Sequence, residues 1–494
     1  MGYAYLEQQK VTAAHRAALA AAEHDPNDPD PIVLSAKIFQ SEKKYDLAIN
    51  AFQQALEMSR NDYQIHIDLG ILFDERGQIK MAVEQYEKAA ELRPSRSFTF
   101  YLLGNAMARL CKLEEAQSYY EKALRLSPSM LAARNNLGLV QMSIGAHESA
   151  LDHFYSALEI DSTASPVLFN LAVALDRIDS PSIALNYIAR AIGIDSTYAI
   201  FYLQRGNIYM NLGLTDLALQ SFHKAISLEP SHALVYNNLG NALLESKNIK
   251  EAELAYQRAL DLYPAYLDNR YFNHYKDLTQ GVDDLLGGCT SATKMTNEYA
   301  MMFNNLGKSK LLLGKLDDAK KDLERAVRLQ PRLVQPYENL AYIYQQRGEQ
   351  ANAQFMLSKA RLNQAYAFLT ADSLTIALAT AQQALSFYPT HAECHSAIGQ
   401  IYAAMDDSIA ASMSFQQALQ LDDNDAGTRL VYADFLKNHG NLLQANIHIQ
   451  RAVELDPNNL VAQRTSAAIL DSLGQFEQAS KRHARARYLV GRDR

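Results

Sequence analysis

Asparagine stands at 136, 170, 238, 305 and 339, and the steps between 136 and 170 and between 305 and 339 are 34 residues. Gln204 and Asp68 fall on the same register, and Leu102 interrupts it. Asparagine is a mediocre helix former, so its return at one spacing asks for a reason. A carboxamide presents a donor and an acceptor side by side, which matches the C=O and N–H of one peptide unit. More amides cluster around this series. Asn135, Asn237 and Asn304 stand one residue before it, and Asn105, Asn207 and Asn241 stand three residues after it. With Phe98, Tyr101 and Phe169 nearby, the set suits sequence-tolerant capture of extended chain. The other use of such amides is to bond one another, or water, along a polar face.

Other residues that could do chemistry lack the partners it needs. Gly281 to Gly288 has neither the spacing nor the lysine of a phosphate-binding loop. No G-x-S-x-G nucleophile elbow occurs. Asp283 and Asp284 are adjacent in a loop, with nothing to divide them into an acid and a base. His391 and His395 are four apart and could share a helix face, but no third ligand accompanies them. Cys111, Cys289 and Cys394 are too few and too scattered for a disulfide framework or a four-cysteine zinc site, and read as buried, reduced thiols. No catalytic residue, metal or cofactor is expected.

The elements that must position these amides follow from a 34-residue repeat, best seen in Ala233 to Tyr266. Windows starting at 29, 63, 97, 131, 165, 199 and 233 follow one another without insertion. Position 8 is small throughout (Gly70, Gly104, Gly138, Gly206 and Gly240, with Ala36 and Ala172), and positions 20 and 27 are alanine in all seven, from Ala48 and Ala55 to Ala252 and Ala259. Small residues let two helices cross closely. Position 24 carries the bulky filler: Phe52, Tyr86, Tyr120, Phe154, Ile188, Phe222 and Tyr256. A helix–turn–helix unit of this length, repeated in register, is the signature of a solenoid.

These constrained positions resemble the tetratricopeptide-repeat family, with Phe100, Tyr202, Tyr236, Phe303 and Tyr337 where the family places tryptophan; the chain has none. The resemblance implies an all-α, right-handed superhelical α-solenoid of about thirteen repeats plus a partial one at the N-terminus. It also implies that position 6 faces the concave groove. Stacked helices step by about 10 Å and an extended chain advances about 3.3 Å per residue, so one amide per repeat would meet roughly every third peptide unit. This arrangement is similar to the asparagine ladder in the repeat domain of O-linked N-acetylglucosamine transferases, which implies a peptide-holding role for Asn136, Asn170, Asn238, Asn305 and Asn339. Nothing after Leu460 could supply those enzymes' catalytic domain. Family members that bind acidic C-terminal tails use basic residues at positions 2, 5 and 6, where this chain is nearly free of Lys and Arg and has Arg464 at position 5.

The register breaks twice. Residues 267–299 keep none of the small positions and read as an aromatic-rich helix followed by a glycine-containing loop. The pattern resumes at Ala300 and Val334, then restarts at Ser358, ten residues early, so that one helix is expected to run from about Gln350 to Leu369. Regular windows return at Ala392, Ala426 and Leu460. The expected organisation is therefore a regular array over 1–266, an insert over 267–299, a repeat pair over 300–357 and a C-terminal block over 358–494.

The first window begins in mid-helix, which predicts that the natural protein starts upstream, with a targeting segment or further repeats. A formal net charge of −8 argues against nucleic acid as a partner. No apolar run is long enough to span a membrane. The basic end Lys481–Arg494 overlays the last repeat's second helix and is either a solvated cap or a contact for an anionic partner. The expected function is a non-enzymatic scaffold binding extended or disordered protein segments. The competing readings are an adaptor subunit of a protease or glycosyltransferase, and a structural part of a secretion, pilus or envelope assembly. The free cysteines favour the cytoplasm, with export possible if a signal has been removed. Oligomeric state is not legible.

Overall fold

The structure is a computed structural model that describes residues 2–268 and 292–492. All of the regular structure among these residues is helical, in twenty-seven helices. Contacts divide the chain into two compact units, residues 1–295 and 296–494.

Unit 1 is a run of antiparallel helix pairs. They are α1 (Gly2–Glu7) with α2 (Val11–His24), α3 (Asp30–Ser41) with α4 (Tyr45–Met58), α5 (Tyr63–Glu75) with α6 (Ile79–Leu92), and α7 (Ser97–Arg109) with α8 (Leu113–Leu126). There follow α9 (Leu131–Ser143) with α10 (His147–Ile160), α11 (Ser165–Arg177) with α12 (Pro181–Ile194), α13 (Ala199–Asn211) with α14 (Thr215–Leu228), and α15 (Ala233–Glu245) with α16 (Ile249–Asp268). Each helix packs mainly on its neighbours in the chain, which is the nearest-neighbour architecture of an α-solenoid.

Unit 2 repeats the plan with α17 (Ala292–Leu312), α18 (Leu316–Leu329), α19 (Gln335–Gln346), α20 (Gln350–Thr370), α21 (Leu374–Phe387), α22 (Ala392–Ala404), α23 (Ser408–Leu421), α24 (Ala426–Asn438), α25 (Leu442–Leu455), α26 (Leu460–Ser472) and α27 (Phe476–Arg492). The helix α20 is unbroken across residue 358: it closes one repeat and opens the next, and buries Ala353, Ser358, Ala360, Leu362 and Ala365 along its length. Of the 267–299 insert, residues 269–291 lie outside the described residues, and Cys289 with them.

The repeat's small residues do what close helix crossing requires. In the seven full windows of unit 1 every alanine at positions 20 and 27 is fully buried, and the position-24 side chains are 0–1% exposed. The pairing is tight enough to forbid a methyl group at Gly104, where an added Cβ would lie 2.5 Å from the Tyr120 ring.

A second rule is set by the turn between the two helices of each repeat. Position 15 is left-handed in every repeat, the partial one included: Gly77, Gly145, Gly213, Gly314, Gly348, Gly440 and Gly474 share positive φ with Gln9, Lys43, Cys111, Asp179, Lys247, Asp372 and Asp406. At the Gly145 turn the N–H of Ala146 bonds the carbonyl of Gln141 at 2.9 Å, closing the helix end with the six-to-one bond of a Schellman motif. Because Cys111 occupies this turn, it is exposed, not buried as the sequence suggests; Cys394 is buried.

Candidate peptide-binding groove

The candidate groove residues lie on the first helix of each repeat, where positions 5, 6 and 9 fall on one face because they are one and three residues apart on a 3.6-residue helix. The structure brings them together in sets. In the first, Asn170 Nδ2 donates to Asn135 Oδ1 at 2.8 Å, and Asn135 Nδ2 donates to Asn136 Oδ1 at 3.2 Å. Asn136 Nδ2 continues to Asn105 Oδ1 at 3.0 Å, and the Tyr120 hydroxyl donates to the same oxygen at 2.7 Å. This chain of bonds joins α7, α9 and α11, so it ties three successive repeats.

A second set follows the same geometry: Asn237 Nδ2 donates to Asn238 Oδ1 at 3.1 Å, and Asn238 Nδ2 donates to Asn207 Oδ1 at 2.8 Å. Asn241 Oδ1 accepts from the Tyr256 hydroxyl at 2.8 Å. A third set lies in unit 2, where Asn339 Nδ2 donates to Asn304 Oδ1 at 3.0 Å and Asn304 Nδ2 to Asn305 Oδ1 at 3.3 Å. The remaining two candidates have carboxylate or cationic partners. Gln204 Nε2 donates to Asp176 Oδ2 at 2.9 Å, and Asp68 is ion-paired with Lys37 at 2.7 Å.

Burial separates these residues. Asn136, Asn170, Asn304 and Asn135 are 1–6% exposed. The half-buried ones are Asn105, Asn207, Asn237, Asn238, Asn241, Asn305 and Asn339, together with Gln204 and Asp68. The amides therefore bond one another between repeats, the alternative use open to them in the sequence, and the half-buried members are those with surface left for a ligand. Burial of an amide is cheap only when its polar atoms are paired, which is what the inter-repeat bonds supply.

The tyrosines at position 24 are participants that the amide spacing alone does not reveal. Tyr120 and Tyr256 lie 15 residues after Asn105 and Asn241, the separation that brings position 24 against position 9. Burial raises the Tyr120 hydroxyl well above its usual pKa and raises that of Tyr256 as well, so both remain neutral donors. In the α13–α14 pair position 24 is Phe222, which has no hydroxyl, and Asn207 takes no such bond. Beyond accepting from Asn238, Asn207 bonds no other described residue, which leaves its N–H groups for a ligand or water. In the α5–α6 pair the roles are reversed: position 9 is Ile71, and the buried Tyr86 hydroxyl has no hydrogen-bond partner.

Other candidates are placed plainly. Phe98 is 45% exposed and stacks on Tyr101 with centroids 6.1 Å apart. Arg464 is exposed on α26. His391 is buried at the turn before α22, where its Nδ1 lies 2.7 Å from Ser358 Oγ and 3.1 Å from Cys394 Sγ, whereas His395 Nε2 lies 3.4 Å from the Pro389 carbonyl. Burial lowers the His391 pKa to about 4 and raises the Cys394 thiol to about 11, so at neutral pH this cluster is uncharged packing. Among the described residues no group of three or more His, Cys, Asp or Glu side chains gathers at metal-binding distance. The basic segment lies in α27 as far as residue 492, with Ala479 and Ala486 buried and Arg485 bonded to Asn458 at 2.6 Å.

A solenoid of paired helices with small residues at the crossings and polar side chains on one face of the first helices is an interaction scaffold in class. Tetratricopeptide-repeat profiles match residues 34–97, 101–165 and 203–266, and again 302–333 and 392–425, over half of the chain in all. The chain belongs to the tetratricopeptide-repeat family, whose members generally serve as protein-interaction scaffolds with protein partners. No curated protein matches it. Solved structures similar to it include YrrB, a tetratricopeptide-repeat protein with an unusual peptide-binding site, at 26% identity over 37% of this chain and 95% of YrrB, with a TM-score of 0.31. MamA is similar at 25% identity over 34% of this chain and 97% of its own, with a TM-score of 0.31. A tetratricopeptide-repeat protein from Parabacteroides merdae is similar at 16% identity over 53% of this chain and 99% of its own, with a TM-score of 0.43. No helix among the described residues is long and apolar enough to cross a membrane.

Proposed function

We propose that this chain is a non-enzymatic scaffold that holds an extended protein segment along the first helices of its repeats, with half-buried amides contacting the segment's backbone. The observation that carries this reading is the Asn207–Asn237–Asn238 set. Its members are half-buried, belong to two adjacent repeats, and include an amide with N–H groups not spent on the protein. An amide held in place by neighbouring amides is preorganised, so it loses little side-chain freedom when a peptide carbonyl arrives. The fully buried Asn136 and Asn170 would act behind this surface, fixing the spacing of the repeats.

The test is a library of unstructured peptides screened against the intact chain. Backbone recognition predicts that Asn207→Ala combined with Asn238→Ala weakens the captured peptides about tenfold or more. N-methylation at single amides of a bound peptide should produce losses of the same order at intervals along it. Peptides that bind the double variant as tightly as the unaltered chain, with helicity preserved, would overturn the proposal.

A further inference from the structure

The outward positions of the second helices show a change along the chain. Positions 18 and 22 are four residues apart, so they sit one turn above the other on the same helix face. In each of the first six full windows both are polar, as in Asp46 with Asn50 and Lys80 with Glu84. In the windows at Ala392 and Ala426 both are large and apolar: Ile409 with Met413 on α23, and Leu443 with Ile447 on α25. They are among the most exposed apolar side chains of the described residues, at 75%, 66%, 72% and 57%. On the preceding second helix, α21, positions 18 and 22 are the smaller Thr375 and Ala379, and Ile376 at position 19 is 51% exposed. Because the two windows share one register, equivalent residues lie on one continuous face of unit 2.

Charge is also withdrawn from this face. Neither α21 nor α23 contains Asp, Glu, Lys or Arg in its 14 residues, whereas 21% of the chain is charged and about three such residues would be expected in each. On α25 the only such residues, Arg451 and Glu454, are near its C-terminus and pair with one another at 3.0 Å. Solvent-facing positions in a repeat are free to be charged, as in the rest of this chain, so the loss of charge on α21 and α23, joined by the gain of exposed bulk on α23 and α25, marks a contact surface.

We infer that this face, formed by α21, α23 and α25, is the interface of a homodimer. Two observations favour a second copy of the chain over another occupant. First, each copy carries a net charge of −8, so two copies repel at long range, and a surface from which charge has been removed is where that repulsion is least. A face whose only charges are the mutually paired Arg451 and Glu454 offers little to select a basic or acidic partner, but it is complementary to itself. Second, its size fits. Three helices about 10 Å apart and 14 residues long span roughly 30 by 21 Å, a flat footprint of roughly 600 Å² before side-chain relief is added. A standard interface buries about 800 Å² per partner. A two-fold contact places one patch on its own copy. With the axis over the central helix α23, Ile409 and Met413 meet their own equivalents, and α21 faces the partner's α25.

The experiment is light scattering and sedimentation equilibrium of the full chain at micromolar concentration. The unaltered chain is expected to be a dimer. Ile409→Asp with Leu443→Asp should raise its dissociation constant about a hundredfold or more, because hydrophobic anchors are lost and like charges face each other across the axis. Both side chains are exposed in the single chain, so circular dichroism should be unchanged; Met413→Lys with Ile447→Lys repeats the test with the opposite charge. Leu254→Asp, at a 69% exposed position of unit 1, should leave the dimer intact. A chain that is monomeric throughout, whether or not the face then binds neutral lipid vesicles, would overturn the inference. So would a dimer that survives both double variants.

Discussion

At the scale of single residues, the pairing of positions 9 and 24 separates two tyrosines that look alike in the sequence. Tyr120 and Tyr86 are both buried at position 24, at 0% and 1% exposed. The Tyr120 hydroxyl donates to Asn105 Oδ1, which also anchors the bond from Asn136, whereas the Tyr86 hydroxyl has no partner. A buried hydrogen bond contributes about 1 kcal/mol net, and a buried hydroxyl without one costs a similar amount or more. Tyr120→Phe is therefore expected to destabilise the array by about 1 kcal/mol. Tyr86→Phe should be neutral, or stabilising by up to about 1 kcal/mol, since it removes a polar atom and leaves the ring. Thermal midpoints of the two variants decide the matter: an equal fall in both would mean that the ring, not the hydroxyl, is what position 24 provides.

At the scale of elements, the helix pairs are legible in the sequence because packing at a crossing is strict. Ala116 and Ala123 are invariant in type across the seven windows since any larger residue would push α7 and α8 apart. The amides were legible as a series but not in their use. Asn136 and Asn238 make equivalent bonds and differ by burial, and burial depends on how successive repeats stack, which a single window does not contain. The left-handed turn was obscured for a different reason. Half of the residues at position 15 are not glycine, so Cys111, Asp179 and Lys247 hide a backbone requirement that Gly145 states openly. This turn supports a prediction in two directions. A side chain in the left-handed region costs about 1–2 kcal/mol, and glycine's greater freedom in the unfolded chain offsets part of that. Lys247→Gly is expected to stabilise the α15–α16 pair by up to about 1 kcal/mol, and Gly145→Ala to destabilise the α9–α10 pair by about 1 kcal/mol. Hydrogen exchange in the affected pair reads both changes, and protection moving the same way in the two variants would refute the argument.

At the scale of the whole chain, stability should be distributed as the contacts are. Each repeat leans on its neighbours, and residues 1–295 and 296–494 form two compact units. A defect in one repeat therefore has a short reach, because the energy lost belongs to the pair and to the interfaces on either side of it. Phe154 is fully buried between α9 and α10 and sits in the core that α11 and α12 extend. Phe154→Ala removes most of a ring and leaves a cavity, at a cost of about 3–5 kcal/mol. A closed globular domain would spread that loss over every amide that exchanges through global unfolding. In this chain the loss of protection is expected to be greatest in α9–α12, to fade over the adjoining repeats of unit 1, and to leave α22–α27 as protected as before. Hydrogen exchange with peptide-level resolution makes the comparison directly. Equal loss of protection in both units would mean that the chain unfolds as one cooperative body and that the repeat is a pattern of sequence without being a unit of stability.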